Sequence, residues 1–499
     1  MRRLLPEILH NPVSLIGVVI AVFNTGFIIF LSVVEALSER PRPYADLIIV
    51  LVLPGLVLFG IVLIIAGVIR ERRKQRLLAP EEFRLLVVDF NNSRHRMIVL
   101  AALTAFLLLS LLYAFAGYKT YEYTESDIFC ELVCHTIHKT EALSYSYSPH
   151  AQVGCSTCHV GPGFKFFVLY KVKGTRQLFD ILTNRYHRPI PTPVADLRPS
   201  QDTCETCHGP IFQVNQRIKS RSTYLSDKTN TKWPLILMLR MGRAEVPAGV
   251  PPMMHWHYST TADIVYAAAD PKRMVIPWIR VKRLDGKERI YRSTGDIVSE
   301  AEAAKLEKRH MDCIDCHNRA GHPFQPPGVI MNALLDAGRF NSALPELKGV
   351  GVRALETGYE SDEEAMRGIN ETVAEFYRSK YPSLAFSQRD AIERAIGEIQ
   401  DAYTRNYDPH MKVNWKNFPD NRGHKYSMGC FRCHDGRHQS DDGTILSKDC
   451  NLCHSLIERI AEGPVNRERG LFRVMKYPHP VDIGDSYRTM NCSDCHGPG

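Results

Sequence analysis

Six copies of Cys-x-x-Cys-His, and a seventh lengthened by one residue, use all 14 cysteines of this chain. The regular copies are Cys155/Cys158/His159, Cys204/Cys207/His208, Cys313/Cys316/His317, Cys430/Cys433/His434, Cys450/Cys453/His454 and Cys492/Cys495/His496; the lengthened one, Cys130/Cys134/His135, comes first. In such a motif two thiols add across the vinyl groups of a haem, and the adjacent histidine ligates its iron. Disulfides and zinc are the competing uses of cysteine. Random placement at this composition, however, gives Cys-x-x-Cys-His on the order of a hundredth of a time per chain. Six copies therefore predict covalent haem c. The seventh still offers two thiols and a histidine to one porphyrin if its extra residue bulges, so the expected complement is seven covalently bound haem c groups.

Haem attachment of this kind takes place outside the bacterial cytoplasmic membrane, which places everything after about residue 120 in the periplasm or an equivalent space. The first quarter of the chain is built to reach it. Apolar runs at about 13–37, 45–69 and 97–117 are each long enough, at 1.5 Å per residue, to cross a hydrocarbon core of about 30 Å. The first is longer than the core of a cleaved signal peptide, the competing reading, and no small-x-small site follows it. Residues 70–96 hold eight Lys or Arg against four Asp or Glu, whereas the link at 38–44 has only Arg40 and Arg42. The larger loop is therefore cytoplasmic, and three crossings deliver the rest to the outer side. That requirement accounts for part of the net charge of +8, so the charge does not point to nucleic acid. Tyr113, Tyr118, Tyr121 and Tyr123 straddle the outer end of the third span as an interfacial belt or as ordinary packing. Cys130 follows about a dozen residues later, within reach of a lipid-soluble electron donor.

Four stretches carry a family resemblance: SDIFC at Ser126–Cys130, Ser148-Pro149-His150, CSTCHV at Cys155–Val160, and CIDCHNRAGH at Cys313–His322. Over roughly residues 97–325, with a large insertion between the third and fourth motifs, the chain resembles the NapC/NirT family of membrane-anchored multihaem quinol dehydrogenases. Seven haems and three spans are most similar to the heptahaem inner-membrane cytochromes of ImcH type, which feed electrons toward extracellular acceptors. The resemblance implies menaquinol as electron donor, a quinol site at Lys171, and His322 and His310 as distal iron ligands of haems 2 and 3. Asp180 is the candidate proton acceptor beside Lys171, since quinol oxidation needs a base within reach; contact of Lys165, Lys171, Lys173 and Arg176 with lipid headgroups is the other reading. The chain departs from the family at haem 1. Where the family carries Cys-x-x-Cys-His-x-Met, this chain has the lengthened motif and Ile137. His135 is the first choice of ligand there, and His138 is either a ligand or an exposed histidine.

Imidazole is the usual distal ligand in multihaem electron carriers. Outside the motifs the haem-bearing portion has His138, His150, His187, His255, His257, His310, His322, His410, His424, His438 and His479, more than seven irons require. Local spacing favours His424 and His438, which flank motif five. His150, His187, His255, His257, His410 and His479 stay open between ligand and surface residue.

The expected fold class is mainly α with irregular loops: three N-terminal transmembrane helices and a periplasmic multihaem cytochrome c domain containing a small β insertion. By residue the reading is a membrane domain at 1–117, a tetrahaem domain at 118–325 with the insertion at about 212–305, a helical scaffold at 326–409 and a trihaem module at 410–499. Strands are expected at 262–269, 274–282 and 288–292, with Asp285-Gly286 as the hairpin turn between the last two. Ser361 and Glu364 form a capping box opening a helix to about Arg378. Ser387 opens another, with Ile392, Ile396, Ile399 and Tyr403 along one face.

The sequence points to electron transfer: a membrane-bound quinol dehydrogenase taking electrons from the quinol pool to a periplasmic c-type cytochrome. A haem-bearing subunit of a larger membrane complex, or a homo-oligomer, is the alternative. A terminal reductase is disfavoured, because no Cys-x-x-Cys-Lys motif occurs.

Overall fold

The computed structural model describes residues 11–36, 52–75, 90–131, 136–161, 164–192, 197–209, 216–242, 253–258, 262–295, 298–341, 343–458 and 479–497. Cys134 and His135, the link at 38–44 and most of the basic loop lie outside the described residues. Two compact units emerge, one of Met1–Cys134 with Cys155–Phe179, the other of His135–Gly154 with Asp180–Gly499.

The first unit contains helices α1 (Pro12–Ala36), α2 (Leu53–Gln75), α3 (Ser93–Thr124) and α4 (Phe164–Leu182), the last ending just beyond its boundary. Helices α1 and α2 pack through small residues. At Gly17 and Gly60 the two backbones are so close that a Cβ on either glycine would collide with the other's carbonyl oxygen. Two side chains fasten the same seam: Asn11 Nδ2 donates to the Gly67 carbonyl at 2.5 Å, and Ser14 Oγ to the Ile64 carbonyl at 3.1 Å. Close backbone approach and interhelical hydrogen bonds are how helices associate where hydrocarbon removes the hydrophobic drive between them.

Three crossings are expected from the sequence. Among the described residues two helices, through Pro12–Ile29 and Leu53–Glu71, are long and apolar enough to cross a membrane. The stretch of the third expected span is helical and lies inside the 32-residue α3. Several of its side chains fall outside the described residues. Helix α3 also continues past its apolar part into Lys119–Thr124 and stops at Glu125, whose N–H is given back to the Tyr121 carbonyl.

In the second unit two antiparallel sheets are present. Strands β1 (Gln216–Tyr224), β2 (Lys232–Arg240), β3 (Ala262–Ala267), β4 (Trp278–Arg283), β5 (Glu288–Ser293), β6 (Lys308–His310), β7 (His438–Ser440) and β8 (His454–Glu458) assemble as β1-β2-β8 and β6-β3-β4-β5-β7. The expected hairpin is β4–β5, with Gly286 at φ +79°, a left-handed turn position that glycine occupies without a Cβ penalty. Strands β1 and β2 were not read from the sequence. Each sheet is completed by a strand from the C-terminal motif region: β7 pairs with β5 just after motif five, and β8, which begins at the motif-six histidine, pairs with β2.

Helices α5 (Pro327–Asp336), α6 (Leu347–Glu356), α7 (Asp362–Lys380) and α8 (Arg389–Asn406) form a bundle around one apolar core. Helix α7 starts as expected, with Ser361 Oγ accepting from the Glu364 N–H at 3.1 Å. Helix α8 starts at Gln388 instead of Ser387, which ends a short helix Pro382–Ser387. Ile392, Ile396, Ile399 and Tyr403 are all buried in the core.

Candidate haem centres

The motifs sit on short helical turns. Cys155–His159, Cys313–Cys316 and Cys492–His496 are α-helical, Glu205–His208 likewise, and Gly429–Arg432 and Cys450–Leu452 are 3₁₀ turns. On such a turn the two cysteines, three apart, and the histidine, four from the first, share one face. Aspartates close several of these turns: Asp312 accepts from the Cys313 N–H at 2.7 Å, and Asn491 with Asp494 makes a capping box. The turn at motif five requires Gly429, at φ +47°, because a Cβ there would run into the Gly423 carbonyl.

The described motif cysteines are half-buried or exposed, the reverse of the usual place of cysteine, which is among the most buried residue types. The sequence treats both cysteines of every motif as equivalent attachment points, but the structure does not surround them equally. Cys316 and Cys433, the second cysteines of motifs four and five, are packed closely enough that burial pushes their thiols up to about 12. Cys207 of motif three and Cys495 of motif seven stand exposed instead, as does Cys450, and Cys158 of motif two is half-buried. Among the described residues Cys433 packs against an apolar cluster, whereas Cys158, Cys207 and Cys495 belong to none of the three. The role of all of these cysteines as attachment points rests on the motif.

Histidine pairs stand beside the motifs. His150 and His208 have ring centroids 5.8 Å apart, His255 and His317 6.4 Å, His257 and His434 5.8 Å, His424 and His454 6.0 Å, and His479 and His496 6.2 Å. With about 2.0 Å from metal to imidazole nitrogen and about 1.1 Å from nitrogen to ring centre, two imidazoles on opposite sides of one iron have centroids roughly 6 Å apart. The residues therefore fit haem c at motifs three to seven. His150 Nδ1 lies 3.1 Å from the Ala320 carbonyl, His257 Nδ1 2.7 Å from that of Met254, and His434 Nδ1 3.1 Å from that of Ser447. A carbonyl only accepts, so these Nδ1 atoms carry the proton and leave the Nε2 lone pair for a metal. Burial pushes His317, His424 and His434 down to about 4, keeping them in the neutral, ligating form.

Other candidates stand differently. His438, expected to flank motif five as a ligand, is 1% exposed and has both ring nitrogens engaged, Nδ1 with Asp435 at 2.9 Å and Nε2 with the Ile276 carbonyl at 2.7 Å. Burial alone would depress it, but the Asp435 carboxylate raises it above the ordinary range. His310, expected for haem 3, projects an exposed ring whose Nδ1 meets Asp263 at 2.8 Å; the ring beside His208 is that of His150. His322 Nδ1 lies 2.9 Å from the Glu141 carbonyl, and burial lowers its pKa. His138 is 3.6 Å from Glu141, and His187 and His410 are exposed. Ile137, where the family carries methionine, packs on Phe324, Met411, Val413 and Phe418 as an apolar core residue.

Motifs four and five, more than a hundred residues apart in sequence, are bolted together. Arg432, between the cysteines of motif five, donates Nη2 to the carbonyl of Asp315, between the cysteines of motif four, at 2.7 Å, and Nη1 to the Arg273 carbonyl at 2.8 Å. The Asp315 carboxylate, 3% exposed, accepts from Tyr266 OH at 2.8 Å, Arg273 at 2.7 Å and Arg309 Nε at 3.1 Å. The helical bundle that follows motif four in sequence thus does not hold the two motifs apart.

At the end of α3, Lys171 on α4 forms an ion pair with Glu125 at 2.7 Å, donates to the Thr124 carbonyl at 2.9 Å and lies over the Phe129 ring. Asp127 Oδ1 accepts from the Cys155 N–H at 2.7 Å, so the entries of motifs one and two share this corner. Asp180 is nine residues further along α4. Sequence reasoning passed over Glu125; its place directly before the SDIFC entry was the available signal.

The NapC/NirT cytochrome c family, N-terminal region, matches residues 92–190. Over 494 residues, 98% of this chain and 95% of the relative, the sequence is 39% identical to the cytochrome c-type protein ImcH of Geobacter sulfurreducens. No solved structure matches.

Proposed function

Because the chain belongs to the NapC/NirT cytochrome c family, whose members are membrane-associated electron-transfer proteins, we propose that it oxidises menaquinol at the membrane and hands the electrons to a periplasmic c-type cytochrome. The supporting observation is the set of five histidine pairs at 5.8–6.4 Å, one at each of motifs three to seven. Were each pair to hold one iron, the two imidazoles would leave no open coordination position at motifs three to seven, which would suit an electron carrier better than a reductase that must bind substrate on iron. Covalent haem c at the seven motifs supplies one-electron oxidation and reduction.

The chain's own residues set the membrane end. Oxidation of one quinol to quinone releases two electrons and two protons. Lys171 orients the quinol oxygen from its position over Phe129, and Glu125, ion-paired with it, accepts a proton within hydrogen-bond reach. Asp180, further along the same helix, is the second candidate base. The excess of Lys and Arg at 70–96 supports a cytoplasmic basic loop, and the reading is that this corner and the motifs face the periplasm.

The test is stopped-flow reduction of the detergent-solubilised protein by a menaquinol analogue. The wild type is expected to be reduced rapidly, and Lys171→Ala and Glu125→Gln to be slowed by roughly 10²-fold or more, the usual worth of a positioned base. Rapid reduction unchanged in both variants moves the quinol site elsewhere. Failure of the wild type to react, although dithionite reduces it fully, overturns the dehydrogenase reading in favour of a subunit that receives electrons from a partner.

A further inference from the structure

The turn Met254–Tyr258, reading MHWHY, carries two of the five paired histidines, and they face different motifs. His255 pairs with His317 of motif four at 6.4 Å, and His257 pairs with His434 of motif five at 5.8 Å. The residue between them is an anchor. Trp256 packs on the apolar cluster of Ile264, Tyr266, Ile276, Ile279 and Tyr291 in the five-stranded sheet, with the Arg283 guanidinium 5.8 Å from its ring centre. Cys433 of motif five packs on the same cluster. His257 is further fixed by its Nδ1 contact with the Met254 carbonyl, inside the same turn.

The Arg432–Asp315 bond also ties the intervening residues of motifs four and five directly together. Asn421 adds a second bond to the Asp315 carbonyl at 3.1 Å. Two features therefore fix the same pair of motifs: the Met254–Tyr258 turn and the Arg432 guanidinium.

We propose that the Met254–Tyr258 turn is a two-iron clamp, in which His255 ligates the iron held by motif four and His257 the iron held by motif five, with Trp256 locking the spacing between them. The proposal rests on the reading of the motifs as bis-histidine haem centres. Its consequence is a haem pair of fixed separation that joins the four N-terminal motifs to the three C-terminal ones. The β insertion, which brings the turn, is then a working part of the electron path.

The experiment uses the full-length, haem-loaded protein with His255→Met and His257→Met, singly and together. Each single variant is expected to keep seven haems by intact mass and to convert one haem of the seven to methionine–imidazole ligation, seen as the near-infrared charge-transfer band of such ferric centres. In redox titrations the double variant is expected to depart from the sum of the singles, because neighbouring sites couple. A single variant that retains the wild-type spectrum with all haems present, or additive behaviour of the 255/257 pair, overturns the clamp. His150→Met separates the two levels: if it too changes nothing, the bis-histidine reading fails as a whole. Should methionine prevent haem attachment, His255→Gly and His257→Gly supplied with free imidazole replace it. Restoration of the low-spin spectrum by imidazole supports the clamp, and a spectrum indifferent to imidazole overturns it.

Discussion

The α5–α8 bundle and the motif-bearing segments around it belong to the same compact unit but are stabilised by different means. Among the described residues the bundle gathers twenty-one buried apolar side chains into one cluster, including Met331, Leu347, Val350, Ile369, Val373 and Ile399 at 0% exposure. The two other clusters of that unit hold five and four. What the motif regions have instead is directional: capped turns, histidines hydrogen-bonded to carbonyls, and the buried Asp315 with its three side-chain donors. A cluster of twenty-one apolar groups folds on hydrophobic burial alone. Clusters of five and four do not bury enough surface to offset the entropy of ordering the long loops, and the porphyrins are left to supply the rest.

The strongest way to break this contrast is to withhold haem. In protein produced without haem attachment, hydrogen–deuterium exchange is expected to leave residues 327–407 protected while protection is lost at 197–242, 253–323 and 420–458. Equal loss in both regions would mean that the bundle depends on its surroundings. A smaller disturbance is Asp315→Ala in the haem-loaded protein. It leaves the Arg273 and Arg309 guanidiniums without their buried counter-ion and is expected to destabilise the motif four and five region by roughly 3–5 kcal/mol, read as a shift in the urea midpoint of haem absorbance. An unchanged midpoint would mean that water compensates the two cations. The gentlest is Ile399→Val, which removes one methylene from the bundle core. It should lower the bundle's stability by about 0.5–1.5 kcal/mol, followed by far-ultraviolet circular dichroism, with haem absorbance indifferent. A matching change in haem absorbance would erase the distinction between the two regions.

Local signals in the sequence led directly to local structure. The Ser361 cap, the Asp285-Gly286 turn and the face of Ile392, Ile396 and Ile399 each depend on residues within a few positions of one another, and each is found where expected, although the Glu364 carboxylate accepts from the Glu360 N–H and not from that of Ser361. Strands β1 and β2 escaped because charge in QRIKSRSTY and a proline in KWPLILMLR obscure the alternation, and because the partner that completes their sheet starts at a motif histidine some two hundred residues later. The same distance hides the histidine pairs. Proximity in sequence favoured His438, yet the ring beside His434 comes from the β insertion, and the one beside His208 comes from before motif two. Spacing also made the motif cysteines look alike, and it could not tell the half-buried Cys316 and Cys433 from the exposed Cys207 and Cys495. The Lys171–Glu125 pair was half legible: the lysine came from the family resemblance, and its partner required knowing where α3 ends.

The carbonyl contacts of His150, His257 and His434 have one more effect. A ring nitrogen held against a carbonyl oxygen has nowhere to send its proton, so a change in charge beside that ring leaves its protonation as it was. An iron held at these pairs could therefore change its charge without moving the rings' protons.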